Sequence, residues 1–182
     1  MFVRETQRLV LRPFQRGDAD FLLRLLNEPS FLAHMEDKGV RTRCQATVYI
    51  ERTLCTSYRA HGFGFCLVAR RDNGQPIGMC GLVRRDSGPE VDLGYAFLPE
   101  WWGRGYALEA ARAVLDWAQG FLGLGAVFAL VRPDNARSIA LLGRLGFAFA
   151  QALPRDPGPG SVHLYALNLA ERSRLARTGS ED

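Results

Sequence analysis

The segment Pro99-Glu100-Trp101-Trp102-Gly103-Arg104-Gly105-Tyr106-Ala107 gathers residue types that could hold an anion. Gly103 and Gly105 have no side chain to keep a ligand off the backbone, and Ala107 is nearly as small. When a helix follows such a turn, free N–H groups and the positive end of the helix dipole face the same point, which suits a phosphate or pyrophosphate. The turn is not a P-loop, because the Gly-Lys-Ser/Thr ending is missing, and it is not G-x-G-x-x-G, because residue 108 is Leu. On spacing alone, two glycines in a strand-to-helix turn are more often a tight turn than a ligand site. A second cluster, Asn135-Ala136-Arg137-Ser138, brackets a helix start. Its simplest reading is a cap from Asn135 or Asp134, with Ser138 in the first turn. Glu90 and Asp92 flank Val91, so on an extended strand both share one face. There they could take a proton from an amine through water, or stand paired with arginine. His34, His61 and His163 are isolated. Cys44, Cys55, Cys66 and Cys80 form no C-x-x-C and lie near no histidine at ligand spacing, so no metal site is expected and the thiols read as core or surface residues.

These residues need a frame. Arg8 to Phe14 alternates Leu9, Leu11 and Pro13 against Val10, Arg12 and Phe14, which predicts a strand. Asp18 reads as an N-cap before Phe21, Leu22, Leu25 and Leu26, and Pro29 closes or bends that helix. Thr42 to Arg59 forms a second helix with Ala46, Ile50, Leu54 and Tyr58 spaced by four. Phe63–Arg71 and Pro76–Arg85 read as strands joined at Asp72-Asn73-Gly74, where Asn-Gly predicts a type I′ hairpin turn. Val91–Leu98 is another strand. Leu108–Ala118 is a helix burying Leu108, Ala111, Leu115 and Ala118, with Gly120, Gly123 and Gly125 after it as stop signals. Ala126–Val131 is a buried strand, and Ser138–Leu145 a short helix ended by Gly146. Phe147–Ala150 and Val162–Leu169 close the series, with a loop at Pro154–Gly160. A helix between Val91–Leu98 and Ala126–Val131 favours a parallel pair, whereas the earlier hairpin is antiparallel. The fold class is therefore α/β: a mixed sheet of six to seven strands, flanked on both faces by about four helices.

Four patches, in this order and spacing, resemble the GCN5-related N-acetyltransferases (GNAT), and within them the branch that acetylates N-termini of ribosomal proteins. They are Glu5-Thr6-x-Arg8-Leu9-x-Leu11-Arg12-Pro13-Phe14; Asp92-Leu93-Gly94-Tyr95; Trp102-Gly103-Arg104-Gly105-Tyr106-Ala107-x-Glu109-Ala110; and Asn135-x-x-Ser138 through Gly146-Phe147. The family's pyrophosphate loop has the form [QR]-x-x-G-x-[GA], and Trp102 stands where Gln or Arg is usual. The resemblance implies that Trp102, Gly103, Arg104, Gly105, Tyr106 and Ala107 hold the CoA pyrophosphate, mainly by backbone. It implies a sheet splayed between Val91–Leu98 and Ala126–Val131, with acetyl-CoA as cosubstrate and no metal. The pantetheine arm would pair with backbone at Phe97 and Leu98 like an added strand, bonded also by Asn135, and an N–H near Phe97 would polarise the carbonyl. Many relatives place a tyrosine acid four residues before the position of Gly146. Here that residue is Leu142, so Ser138 is the expected partner of the departing thiolate. Asp92 is the preferred general base over Glu90, and a water chain could also serve.

The expected activity is direct transfer of acetyl from acetyl-CoA to a primary amine, with a protein N-terminus as acceptor. A small amine such as an aminoglycoside or polyamine is the alternative, and a non-catalytic acyl-CoA-binding module a remoter one. Composition agrees with one globular domain over residues 1–171 and a polar tail at 172–182. The chain has 182 residues, of which 47% are hydrophobic and 23% charged. Its net charge is +4, and every cation except Lys38 is arginine. The arginines are scattered, so neither nucleic acid nor membrane is an expected partner. No apolar run approaches the roughly 20 residues of a membrane span. The opening residues carry no signal-peptide pattern, so the expected location is cytoplasmic, as monomer or homodimer.

Overall fold

The computed structural model describes residues 3–84, 91–154 and 160–170. Its framework is one eight-stranded sheet: β1 (Arg4–Glu5), β2 (Leu9–Pro13), β3 (Phe65–Arg70), β4 (Pro76–Val83), β5 (Asp92–Phe97), β6 (Ala126–Val131), β7 (Ala148–Pro154) and β8 (Ser161–Asn168), in the spatial order β1-β2-β3-β4-β5-β6-β8-β7. All neighbours are antiparallel except β5 and β6. Those two are joined by the longest helix, α5 (Tyr106–Gly120), and such a crossover is what a parallel pair requires. The sheet exceeds the expected six to seven strands because the two-residue β1 adds an edge.

Strand alternation sends side chains into two cores. Cys66 and Val68 of β3 face one core with α5 and α6 (Ala136–Leu145), whereas Leu67 and Ala69 face the other. Over that second face lie α1 (Ala19–Leu26), α2 (Pro29–His34), α3 (Arg43–Tyr49) and α4 (Cys55–His61). Leu108, Ala111, Leu115 and Ala118 of α5 are buried as the heptad-like spacing predicts. Cys66 and Cys80 are register partners in the first core, and burial pushes both thiols up, to about 12 for Cys66. Neither is therefore a nucleophile at neutral pH.

Several local expectations need correction. Pro29 does not end a helix but begins one: it occupies the first turn of α2, where its missing N–H costs nothing. Asp18 sits at the N-cap of α1 without capping it. Its carboxylate accepts from Gln15 N at 2.8 Å and from both guanidinium nitrogens of Arg12 at 2.7 Å, tying β2 to the helix instead. Thr42 does cap α3, in a reciprocal box with Gln45. The expected continuous helix there contains a π-helical stretch, Ile50–Leu54. An apolar stripe spaced by four drifts about 40° per step on an α-helix. The wider π turn takes up that drift, and Ala46, Ile50 and Leu54 all stay buried. The hairpin between β3 and β4 forms, but not as type I′. Only Gly74 has positive φ (72°), and its N–H reaches back to Arg70 O at 2.9 Å, closing a longer loop. Glu90, most of the Pro154–Gly160 loop and the 172–182 tail lie outside the described residues. Among the described residues, no helix is long and apolar enough to cross a membrane.

Candidate active site

β5 follows β4 for six register positions, and β6 follows β8 for six. Between them β5 and β6 pair at one position only, Asp92 with Phe128, where Phe128 N donates to Val91 O at 3.0 Å. Beyond that bridge the sheet opens into a gap. The strand's alternation fixes what faces it. Leu98 N donates to Ile77 O on β4, so the even-numbered backbone groups of β5 look toward β4 and those of Tyr95 and Phe97 look into the gap. This corrects the expectation for Leu98. Its N–H is spent on β4, its C=O accepts from Trp101 N at 3.0 Å, and its side chain is buried, so it offers nothing to an added strand. Phe97 keeps its N–H toward the gap, while its carbonyl accepts from Trp102 Nε1 at 2.8 Å.

One rim of the gap is the glycine turn. β5 runs through a 3-10 turn (Pro99–Trp101) into Trp102, then Gly103 (φ 71°) and Gly105 (φ 78°) adopt left-handed conformations. An L-residue at either place is strained by on the order of 1–3 kcal/mol. Gly105 is the N-cap of α5 and no side chain caps that helix. Space outside Gly103 is open, since a Cβ there would meet nothing within 4 Å. The α5 N-terminus thus presents backbone N–H groups outward, as an anion cradle must. Basic groups ring it: Arg104 and Arg70 lie over the Trp101 ring at 5.3 and 5.1 Å, and Arg8 over Tyr106 at 4.6 Å.

The turn is clasped from the opening segment of the chain. Glu109 in the first turn of α5 accepts from Thr6 Oγ1 at 2.6 Å, Arg8 N at 2.9 Å and Arg8 Nε at 2.7 Å, and Arg8 Nη1 reaches Arg104 O at 3.0 Å. Burial pushes the Glu109 carboxyl up, but the bonds from Thr6 and Arg8 outweigh it and hold the group below its ordinary value. Two of the sequence patches are therefore one device.

The other rim is the start of α6. Asn135 Oδ1 accepts from Ser138 N at 3.1 Å, so the cap reading of this pair is correct. The same amide carries two donors on Nδ2, which a ligand carbonyl could use. Arg137 lies over the Trp102 ring at 4.9 Å, joining the two rims. The Tyr95 hydroxyl stands 2.6 Å from Ser138 Oγ. Burial pushes the Tyr95 phenol up to about 12, with the Ser138 bond pulling weakly the other way. Tyr95 is the polar residue at the gap that pattern reading passed over. Its only signal was the Gly94-Tyr95 pair, read as a landmark and not as chemistry.

Phe97, Trp102 and Ser138 thus meet around the gap, with the turn and Asn135 on its rims. Asp92 does not join them. It is 2% exposed, sits at the closed end where β5 and β6 still pair, and lies about 10 Å along the strand from Tyr95 at 3.3 Å per residue. By alternation its side chain leaves the sheet on the face opposite Tyr95, toward the side of α1–α4.

The parts fit an acyl-CoA. An uncapped helix start suits its pyrophosphate, and strand N–H groups facing a gap suit an amide-bearing arm. Comparison with known proteins agrees. The family model described as an acetyltransferase (GNAT) domain matches residues 8–148. An N-acetyltransferase of Bacillus licheniformis, p20, itself uncharacterized, is 29% identical over 83% of this chain and 84% of its own. The acetyltransferase from Agrobacterium tumefaciens is 26% identical with a TM-score of 0.77, covering 92% of this chain and 95% of that one. The ribosomal-protein-S5-alanine acetyltransferase of Vibrio fischeri shares the fold at a TM-score of 0.77 and 16% identity, covering 92% and 97%.

Proposed function

The chain belongs to the acetyltransferase (GNAT) domain family and is an acetyl-CoA-dependent N-acetyltransferase, and from that premise we propose that it passes the acetyl group directly to a protein N-terminal α-amine within a ternary complex. The observation that carries direct transfer is the gap itself. A single opening is bounded by an uncapped glycine turn, strand N–H groups and a serine hydroxyl, and no described cysteine nucleophile stands in it. Acetyl-CoA supplies a thioester whose carbonyl the amine attacks and whose sulfur leaves.

The proposed roles follow from position. Gly103, Arg104, Gly105, Tyr106 and Ala107 receive the pyrophosphate on backbone N–H groups, with Trp102 bracing the turn to Phe97 and to Arg137. The N–H of Phe97 faces the gap and would bond the arm or polarise the carbonyl. Asn135 gives its Nδ2 hydrogens to the arm while its Oδ1 caps α6. Ser138 hydrogen-bonds the departing sulfur and passes it the proton that the amine nitrogen sheds on becoming an amide. The ammonium must lose one further proton beforehand. Asp92 stands away from the gap, so that proton travels along a chain of waters on the α1–α4 face, where the acceptor would enter, with Asp92 as the proposed end of the chain. Asp92→Asn should then depress turnover most at low pH, and equal depression at all pH values would remove it as the base.

An N-terminal acceptor is supported by the Trp-Gly-x-Gly-Tyr-Ala form of the turn and by the charge at its rims. Arg104 and Arg137 stand beside the opening, over the rings of Trp101 and Trp102, which disfavours a polycation such as a polyamine. The test is a thiol-release assay with acetyl-CoA against N-terminal peptides, polyamines and aminoglycosides. Turnover with peptides and not with free amines is expected. The reverse pattern overturns the acceptor assignment, and CoA binding without turnover on any amine overturns the enzyme reading.

A further inference from the structure

The proposed roles leave the half-buried hydroxyl of Tyr95 unused. Tyr95 comes from β5 and Ser138 from α6, and they touch across the open part of the gap. Gly94 beside Tyr95 admits the Phe65 ring, since a Cβ there would lie 2.5 Å from it, so β5 is pressed from its other face and Tyr95 has little room to shift. Four residues beyond Ser138, Leu142 is 1% exposed in the first core, so α6 itself contributes no phenol at that turn.

We propose that Tyr95 is a positioning residue for acetyl transfer: its hydroxyl donates to Ser138 Oγ and thereby turns the single Ser138 hydrogen toward the sulfur of acetyl-CoA. The inference rests on the assignment of Ser138 to that sulfur. A serine oxygen has one hydrogen and two lone pairs. Left alone, the hydroxyl rotates, and the carbonyl of its own helix turn competes for the hydrogen. With one lone pair engaged by Tyr95, the hydrogen turns away from the phenol, and toward the gap once a sulfur is there to accept it. Tyr95 Oη also stands within donating distance of Ser138 O, at 3.4 Å, but the Ser138 Oγ at 2.6 Å is the nearer acceptor for its single hydrogen. The raised phenol agrees with this role: it stays protonated, hence a donor, throughout the neutral range, and does not itself give up its proton. No bond to Tyr95 forms or breaks.

The test is a double-mutant cycle with Tyr95→Phe and Ser138→Ala, reading kcat, KM for acetyl-CoA and the pH profile. Tyr95→Phe removes one oxygen and keeps the packed ring. It should lower kcat about tenfold, the size of one directed hydrogen bond, with KM changed less than about twofold. Ser138→Ala should lower kcat further, by about 100-fold, the low end for a proton-transfer partner. In the Ser138→Ala background, Tyr95→Phe should add nothing, and the basic limb of the pH profile should be unchanged by Tyr95→Phe. Full turnover of Ser138→Ala overturns the serine assignment itself. An impaired Ser138→Ala with an unimpaired Tyr95→Phe overturns only the positioning role. Additive losses, or a basic limb erased by Tyr95→Phe, would make Tyr95 a direct acid and overturn it too.

Discussion

The starts of α5 and α6 lie on opposite rims of one gap and solve the same problem in opposite ways. Every helix begins with N–H groups that have no partner inside it. At α6 the chain supplies one: Asn135 accepts from Ser138 N, the ordinary side-chain cap. At α5 the N-cap is Gly105, which has no side chain to offer, and its N–H groups are left facing outward. A helix that satisfies its own N-terminus frees its side chains for chemistry, and here Ser138 meets Tyr95. A helix that leaves its N-terminus bare keeps the backbone for a ligand. The bare start is also the more heavily braced one. Thr6 and Arg8, distant in the chain, clasp it through Glu109 of its own first turn and so fix the shape of the turn.

The contrast can be broken in four places. The largest effect is expected at Gly105→Val, which forces a β-branched residue to φ 78° and fills the bare cap. Acetyl-CoA affinity should fall at least ~100-fold by calorimetry, with the fold retained by circular dichroism, because backbone N–H groups are the main ligand there. Undiminished affinity would show that the bare start is not the anion site. Asn135 comes next. Asn135→Ala should lose about 1 kcal/mol of stability with the cap, and acetyl-CoA affinity with the amide donors. Asn135→Asp should restore the stability and not the affinity. Equal rescue of both would reduce Asn135 to a cap and nothing more.

Glu109→Gln weakens the clasp and gives it a pH signature. Glu109 is held below its ordinary value of about 4.3, so its stabilisation is complete above that pH and is lost as pH falls through the lower folded value. The wild-type melting temperature should drop more steeply below about pH 4 than that of Glu109→Gln. Parallel curves would show that the carboxylate carries no net stabilisation. The smallest effect is expected at Trp102→Phe, which removes the indole N–H on Phe97 O and keeps a ring under Arg137. Acetyl-CoA affinity should change by no more than about threefold, the scale of one neutral hydrogen bond. A larger loss would give Trp102 a direct contact with the ligand.

Local signals were legible where local physics decides them. The glycine turn before α5, the Asn135 cap and the Gly146 helix end (φ 91°) depend on a few consecutive residues, and each stands where the spacing put it. Ala126–Val131 has the same bounds in the sequence pattern and in the structure. The errors also have local causes. Pro29 forbids a helix before it as readily as it permits one after it, and periodicity does not choose. The Asn73-Gly74 signal marks a turn, but its type depends on how many residues separate the paired strands.

Residue types and order by themselves determined the mixed α/β sheet, the crossover helix and the place of the glycine turn, because hydrophobic period, turn preference and helix caps are set by neighbours in the chain. Only the tertiary structure decided which distant groups meet. Tyr95 reaches Ser138 across 43 positions and Glu109 reaches Arg8 across 101. Asp92 and Tyr95, three residues apart, leave opposite faces of one strand. Such meetings depend on register and on where the sheet opens, and those are settled by packing two cores against it and not by any local pattern.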